Sequence, residues 1–305
     1  MKDENLKDIT VSKHIKYYTL DNDLNDELFT YFNPELGNLS RYIDISILEG
    51  ITFSNSENYE YCINNLDRGF PVSKIIPSKD AIGMTLPIKR GNDIKCHIVF
   101  NISSWSFEPD NKTLTLDTLY IIAHEMAHVE IMENLHKYEK NICFPKYFFS
   151  VRESKSFYFS KLAIEEFIAC KISNIIECGN TYFTYFENNV LNILKEIETT
   201  QKHFIKEYNE DFNYIEKICD LYGKFFIFCS YYLGAKEENV DYHINIRNNL
   251  FFVYIEEMDL CLNNIFNEYP KFQDSHFDDI KSIFEKIIFN TLFNDSLLNE
   301  WNDYI

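Results

Sequence analysis

The stretch LDTLYIIAHEMAHVEIMEN, Leu116 to Asn134, decides how this chain is read. Apolar residues recur at Leu119, Ile122, Ala123, Met126, Ala127 and Val129, the spacing of a helix rather than the alternation of a strand. Asp117 is the expected N-cap, with Thr113 and Thr115 as alternatives. Within the stretch stands His124-Glu125-Met126-Ala127-His128. Positions four apart lie one above the other on a helix, so the two imidazoles can hold one metal ion together. Glu125 is turned aside, within reach of a water at that ion but poorly placed as a third ligand. Ala123 and Ala127 are small enough to leave room for the ion and for a second helix.

Upstream, residues 1–40 are polar apart from an amphipathic segment, Leu20–Phe32, expected to stop before Pro34. From Arg41 to Asn101 the texture changes to short apolar runs broken by Pro, Gly and Asn: YIDISIL, GFPVSKIIP, AIGMTLPIKRG and IKCHIVFNI. These read as strands and connections of a small sheet. Gly83–Phe100 has the pattern of a hairpin turning over Lys89–Asp93, and Pro109-Asp110-Asn111 closes the strand region. Between Pro145 and Pro270 there is no proline, and helical periodicity runs through 157–178, 183–208, 212–233, 244–267 and 277–304. The expected fold class is α+β and predominantly helical. A small N-terminal mixed sheet precedes the His124–His128 helix, and a long all-helical part follows. The organisation expected is an α+β part over 1–110 and a helical part over 111–305 carrying the metal site, packed as one compact unit.

Composition narrows the classes of partner. With 29 basic against 48 acidic side chains the formal charge is −19, the wrong sign for nucleic acid or an anionic membrane surface as main partner. Neither partner is therefore expected. Aromatic residues at 16% supply ample apolar surface, so the chain is not disordered by composition. The N-terminus lacks the apolar run of a signal peptide, and the eight cysteines form no C-x-x-C pair. Reduced thiols in the cytoplasm are the expectation.

A zinc site that does chemistry takes three protein ligands and keeps one position for water. A third histidine six residues after the second is excluded here, because Asn134 occupies that position and Ile131 stands where a glycine would. His136, eight residues past His128, is too far along the helix. The next strong helix, SKLAIEEFIACKIS (Ser160–Ser173), offers Glu165 and Glu166. Ile168, Ile172, Ile175 and Ile176 mark its large apolar face, with Glu165 at the edge. Glu166 shares a face with Leu162, Ala169, Cys170 and Ser173, mostly small residues that allow another helix to approach. Glu166 is favoured on that ground, with Glu165 as the alternative.

H-E-M-A-H at 124–128, followed by E-F-I-A-C at 166–170 on a later helix, resembles the glutamate-zincin metallopeptidases. In those proteins two histidines of one helix and a glutamate of a later one bind zinc. Several such families continue E-x-x-A-D; Glu166 to Ala169 matches that step, and Cys170 stands where the aspartate would be. The resemblance implies a zincin-like core and one Zn²⁺ held by His124, His128 and Glu166. It also implies peptide-bond hydrolysis with Glu125 as general base. A peptide or protein substrate would pair with an edge strand ahead of the ligand helix, for which Lys95–Asn101 is the candidate. An oxyanion donor is expected too, but Tyr208, Tyr222, His203, His243 and Arg247 are not distinguished by sequence. The aromatic segment Phe144–Phe159 joins the two ligand helices and reads either as cleft lining or as core. Two other classes stay open: a non-catalytic binding or regulatory protein on the same scaffold, and a metal-free helical interaction protein.

Overall fold

The computed structural model describes residues 15–19, 25–77, 81–108, 113–148, 150–177, 181–204, 213–236 and 241–291. The fold is α+β and mostly helical, with one four-stranded mixed sheet. The chain divides into two compact units: Met1–Pro145 with Ile172–Cys178, and Lys146–Lys171 with Gly179–Ile305.

In the first unit the sheet comprises β1 (Lys16–Thr19), β2 (Leu48–Ser54), β3 (Gly83–Arg90) and β4 (Asp93–Asn101), in the order β1-β2-β4-β3. β1, β2 and β4 run parallel, and β3 is antiparallel to β4. The hairpin expected over Gly83–Phe100 is present, with Arg90 opposite Asp93 and a two-residue turn at Gly91-Asn92. Gly91 sits at φ +65°, a conformation glycine adopts without strain. One sheet face carries Ile51, Phe53, Cys96, Ile98 and Phe100 into a core completed by α1 (Asn25–Leu39) and α3 (Leu116–Tyr138). The other face carries Leu86 and Val99 against Tyr59 and Ile63 of α2 (Tyr59–Asn65). A two-stranded ribbon, β5 (Phe107–Glu108) and β6 (Thr113–Leu114), leads into α3.

Several expectations are corrected here. The strand taken for a sheet edge, Lys95–Asn101, is internal: β2 pairs along one side of β4 and β3 along the other. The edge on that side is β3. YIDISIL is not a strand, because Ser46 and Asp44 are pinned to Glu133 and Glu130 of α3 and the strand begins only at Leu48. GFPVSKIIP contains no strand, and Pro71 and Pro77 interrupt any ladder. β1 and most of β2 were not anticipated. α1 continues through Pro34 to Leu39, since burial of Phe32 and Leu36 on either side outweighs the helix bond that proline removes. The N-cap of α3 is Thr115, whose Oγ1 accepts from the Thr118 amide at 3.3 Å, while Asp117 lies in the first turn.

The second unit is helical: most of α4 (Val151–Ser173), then α5 (Thr181–Phe204), α6 (Asn213–Ala235), the short α7 (Ile244–Arg247), α8 (Phe252–Glu268) and α9 (Asp274–Thr291). Phe159 of α4 packs on Phe284 of α9 and against Gly223 of α6, where any side chain would collide with its ring. Lys155–Asp220 and Arg152–Glu285 tie α4 to α6 and α9 at 2.6 and 2.5 Å. The single helix expected over 244–267 is broken at 248–251, where Asn249 Oδ1 accepts from the Phe251 amide and starts α8 afresh. The ends of the expected helices 183–208 and 277–304 lie partly outside the described residues, as do Asp110 and Asn111. Among the described residues no helix is long and apolar enough to cross a membrane.

Candidate metal centre

α3 is buried on nearly all sides, with an unbroken buried run from Ile122 to Val129. A helix so placed has no polar face, so a polar residue in that run requires a partner or a task. Its three polar residues are those of the motif. His124, Glu125 and His128 keep only 9%, 7% and 7% of their surface exposed.

The two imidazoles meet at Nε2, 3.2 Å apart, with ring planes at 83°. Two nitrogens bound to one tetrahedral zinc at bonds of about 2.05 Å would lie about 3.3 Å apart. The Nε2 spacing therefore fits a shared ion. Tyr120, one turn earlier, lays its ring nearly parallel to that of His124, at 6.4 Å between centroids.

On α4, Glu165 and Glu166 diverge. Glu165 is buried and pairs with Lys161 at 2.7 Å, so its charge is met within its own helix. His124, His128 and Glu166 form a group that could hold a metal: one ligand atom from each lies within 4.8 Å of the others. Two imidazoles and a carboxylate are a donor set that zinc takes. Cys170, one turn after Glu166, is a buried cysteine in no disulfide.

Glu125 is held from the sheet side by two residues of β3 that the sequence did not single out. Thr85 Oγ1 lies 2.7 Å from Glu125 Oε2 and 2.9 Å from the Glu125 main-chain oxygen, so one hydroxyl spans carboxylate and helix backbone. At Gly83 an added Cβ would stand 2.6 Å from Glu125 Cγ and 2.8 Å from Oε1. Glycine there is a matter of space. Tyr59 adds a third neighbour: burial, and then the nearby Glu125 charge, push its phenol well above the ordinary range. Among the described residues its buried hydroxyl has no hydrogen-bond partner. No sequence signal could have found these three, because they belong to the site only through the packing of β3 and α2.

The other candidates are engaged elsewhere. His136 lies in the last turn of α3 near Phe144. His243 caps the short α7 through Nδ1, and Arg247 pairs with Asp241 at 2.7 Å. Tyr222 is buried beside Phe251. Tyr208 and the His203 side chain lie outside the described residues.

β3 also presents main chain beyond the sheet. The Lys89 amide donates to the Arg68 carbonyl, and the Pro87 carbonyl accepts from Arg68 Nε, both away from β4. Backbone groups two residues apart on a strand point the same way, so those of Thr85 and Gly83 also point outward. Pro87, which has no N–H, stands where the ladder to β4 does not need one.

No family model matches the chain, and neither does any curated protein or solved structure.

Proposed function

We propose that the chain is a zinc-dependent peptidase. The observation that carries this reading is the 3.2 Å approach of the His124 and His128 Nε2 atoms, with Glu166 in the same group. His124, His128 and Glu166 would hold the ion. When bound, zinc supplies Lewis acidity, bringing the pKa of a water toward about 7 and polarising a carbonyl.

The rest of the chemistry belongs to the protein. Glu125 takes the proton of the attacking water and returns it to the amide nitrogen as the C–N bond breaks, so one carboxylate serves as base and then as acid. The Thr85 hydroxyl fixes the direction in which Oε2 faces, and Gly83 leaves that oxygen pair its space. A peptide substrate would lie along the outer edge of β3, bonded to the main chain of Gly83 and Thr85. Such bonds read extended backbone rather than side chains.

Protein purified without added metal and analysed for zinc is expected to contain about one equivalent, lost together when His124 and His128 are changed to alanine. Glu125→Gln is expected to retain the zinc and lose cleavage of a mixed peptide library by a factor of at least about a thousand. A metal-free wild type would end the zinc reading. Undiminished cleavage by Glu125→Gln would end the assignment of the base.

A further inference from the structure

Arg68 is the buried charge for which the peptidase chemistry gives no reason. Only 9% of its surface is exposed, and burial lowers its pKa from the ordinary value, with no carboxylate opposing that shift. Among the described residues one of its five N–H groups is engaged: Nε donates to the Pro87 carbonyl at 3.2 Å. Among the described residues no Asp or Glu pairs with it. In a chain with 48 acidic and 29 basic side chains, counter-ions are the abundant species. A buried guanidinium left without one is costly unless an anion arrives from outside.

The surroundings hold this cation in place without neutralising it. Its Cζ lies 5.0 Å over the Phe70 ring, and Phe70 meets Phe144 edge-on at 5.1 Å. Lys89 Nζ lies 5.6 Å over the Phe144 ring, a second cation with no acidic partner among the described residues. Arg90, by contrast, is taken up by Glu49 and Asp67 at 2.6 and 3.4 Å. Aromatic faces attract cations without cancelling their charge, so Arg68 and Lys89 stay available.

The position is specific. The Pro87 carbonyl that Arg68 grips points outward from β3, on the edge where the main chain of Gly83 and Thr85 has no partner among the described residues. Beyond it the Arg68 backbone itself closes the edge by accepting from Lys89. A strand added at Gly83 and Thr85 therefore runs into the guanidinium. Pro87 is two residues past Thr85, about 7 Å at the rise of a strand.

We propose that Arg68, flanked by Lys89, is a carboxylate-binding subsite at the closed end of the β3 edge, selecting peptides with a carboxylate about two residues from the bond that Glu125 faces. The placement of the peptide rests on the peptidase reading; the capture of a carboxylate does not. That carboxylate is either an Asp or Glu side chain or the peptide's own C-terminus, and both suit the fork of a guanidinium.

The test uses the full chain carrying Glu125→Gln, so that binding is measured without turnover. Peptide pairs identical except for a C-terminal acid or amide, or for an internal Asp or Asn, are titrated calorimetrically. The carboxylate member of one pair is expected to bind about ten- to a hundredfold more tightly, and the pair that shows it identifies the source. Adding Arg68→Gln is expected to abolish the difference, while Arg68→Lys keeps part of it and serves if the glutamine variant does not fold. Equal affinities within every pair, or a preference that survives both Arg68 variants, overturn the subsite. In the unaltered protein, equal cleavage of the two members of every pair, acid against amide and Asp against Asn, sinks the subsite alone. Absence of cleavage alongside a retained carboxylate preference sinks only the peptidase reading.

Discussion

Gly83 and Thr85 set what Glu125 can do, and each acts through atoms that count. A methyl group at position 83 would need the space of Glu125 Cγ and Oε1, at 2.6 and 2.8 Å. Gly83→Ala is therefore expected to turn the carboxylate away, costing about 1–3 kcal/mol in stability and at least tenfold in turnover, with zinc retained. Thr85→Val keeps the shape and removes the hydroxyl. It is expected to lower kcat about ten- to a hundredfold at unchanged KM and zinc content, and Thr85→Ser is expected to restore it. Steady-state kinetics beside metal analysis separates these outcomes, and a fall in zinc content would show a ligand rather than a base effect. The histidines and Glu125 were legible in the sequence because their relation is local to one helix. Thr85 was not, because it meets Glu125 forty positions away.

At the scale of elements, α3 shows why burial and capping carry different weights. Thr115 Oγ1 meets one of the free amides of the first turn, and that contribution is ordinarily about 1 kcal/mol. Thr115→Ala is expected to lower the unfolding free energy by that amount, read as a lower denaturant midpoint with the slope unchanged. Zinc should stay bound, because the segment carrying the histidines is fixed by its burial in the core two turns later. Loss of the metal in that variant would show that the helix start, not the core, orders the ligands. The helix and the Gly83–Phe100 hairpin could be read from periodicity and from the turn segment Lys89–Asp93. β2 could not, for two reasons. Ile43, Ile45 and Ile47 imitate strand alternation within a loop whose alternate residues are bonded to α3. Gly50, a poor strand former, is required inside β2 because a Cβ there would stand 2.6 Å from the His97 ring.

His97 also bears on the molecule as a whole. It is buried in the sheet with Nε2 2.8 Å from Thr52 Oγ1, and burial lowers its pKa from 6.5 to about 4, Glu49 opposing and Arg90 assisting. A histidine that is less basic folded than unfolded contributes stability above pH 6.5. The unfolded chain takes up the proton first as the pH falls, so that contribution is lost between about pH 6.5 and pH 4, amounting to about 3 kcal/mol. Thermal melts across that window are expected to show a steeper fall for the wild type than for His97→Gln; parallel curves would show that His97 does not carry the acid sensitivity. A last consequence concerns encounters between copies of the chain. An open strand edge is ordinarily a template on which further chains assemble. On β3 the Arg68 main chain occupies the edge at Lys89, and Pro87 offers no donor, which among the described residues leaves Gly83 and Thr85 able to pair at both groups. Two such residues are too few to sustain a shared sheet, so the peptide site proposed on β3 would not seed polymerisation.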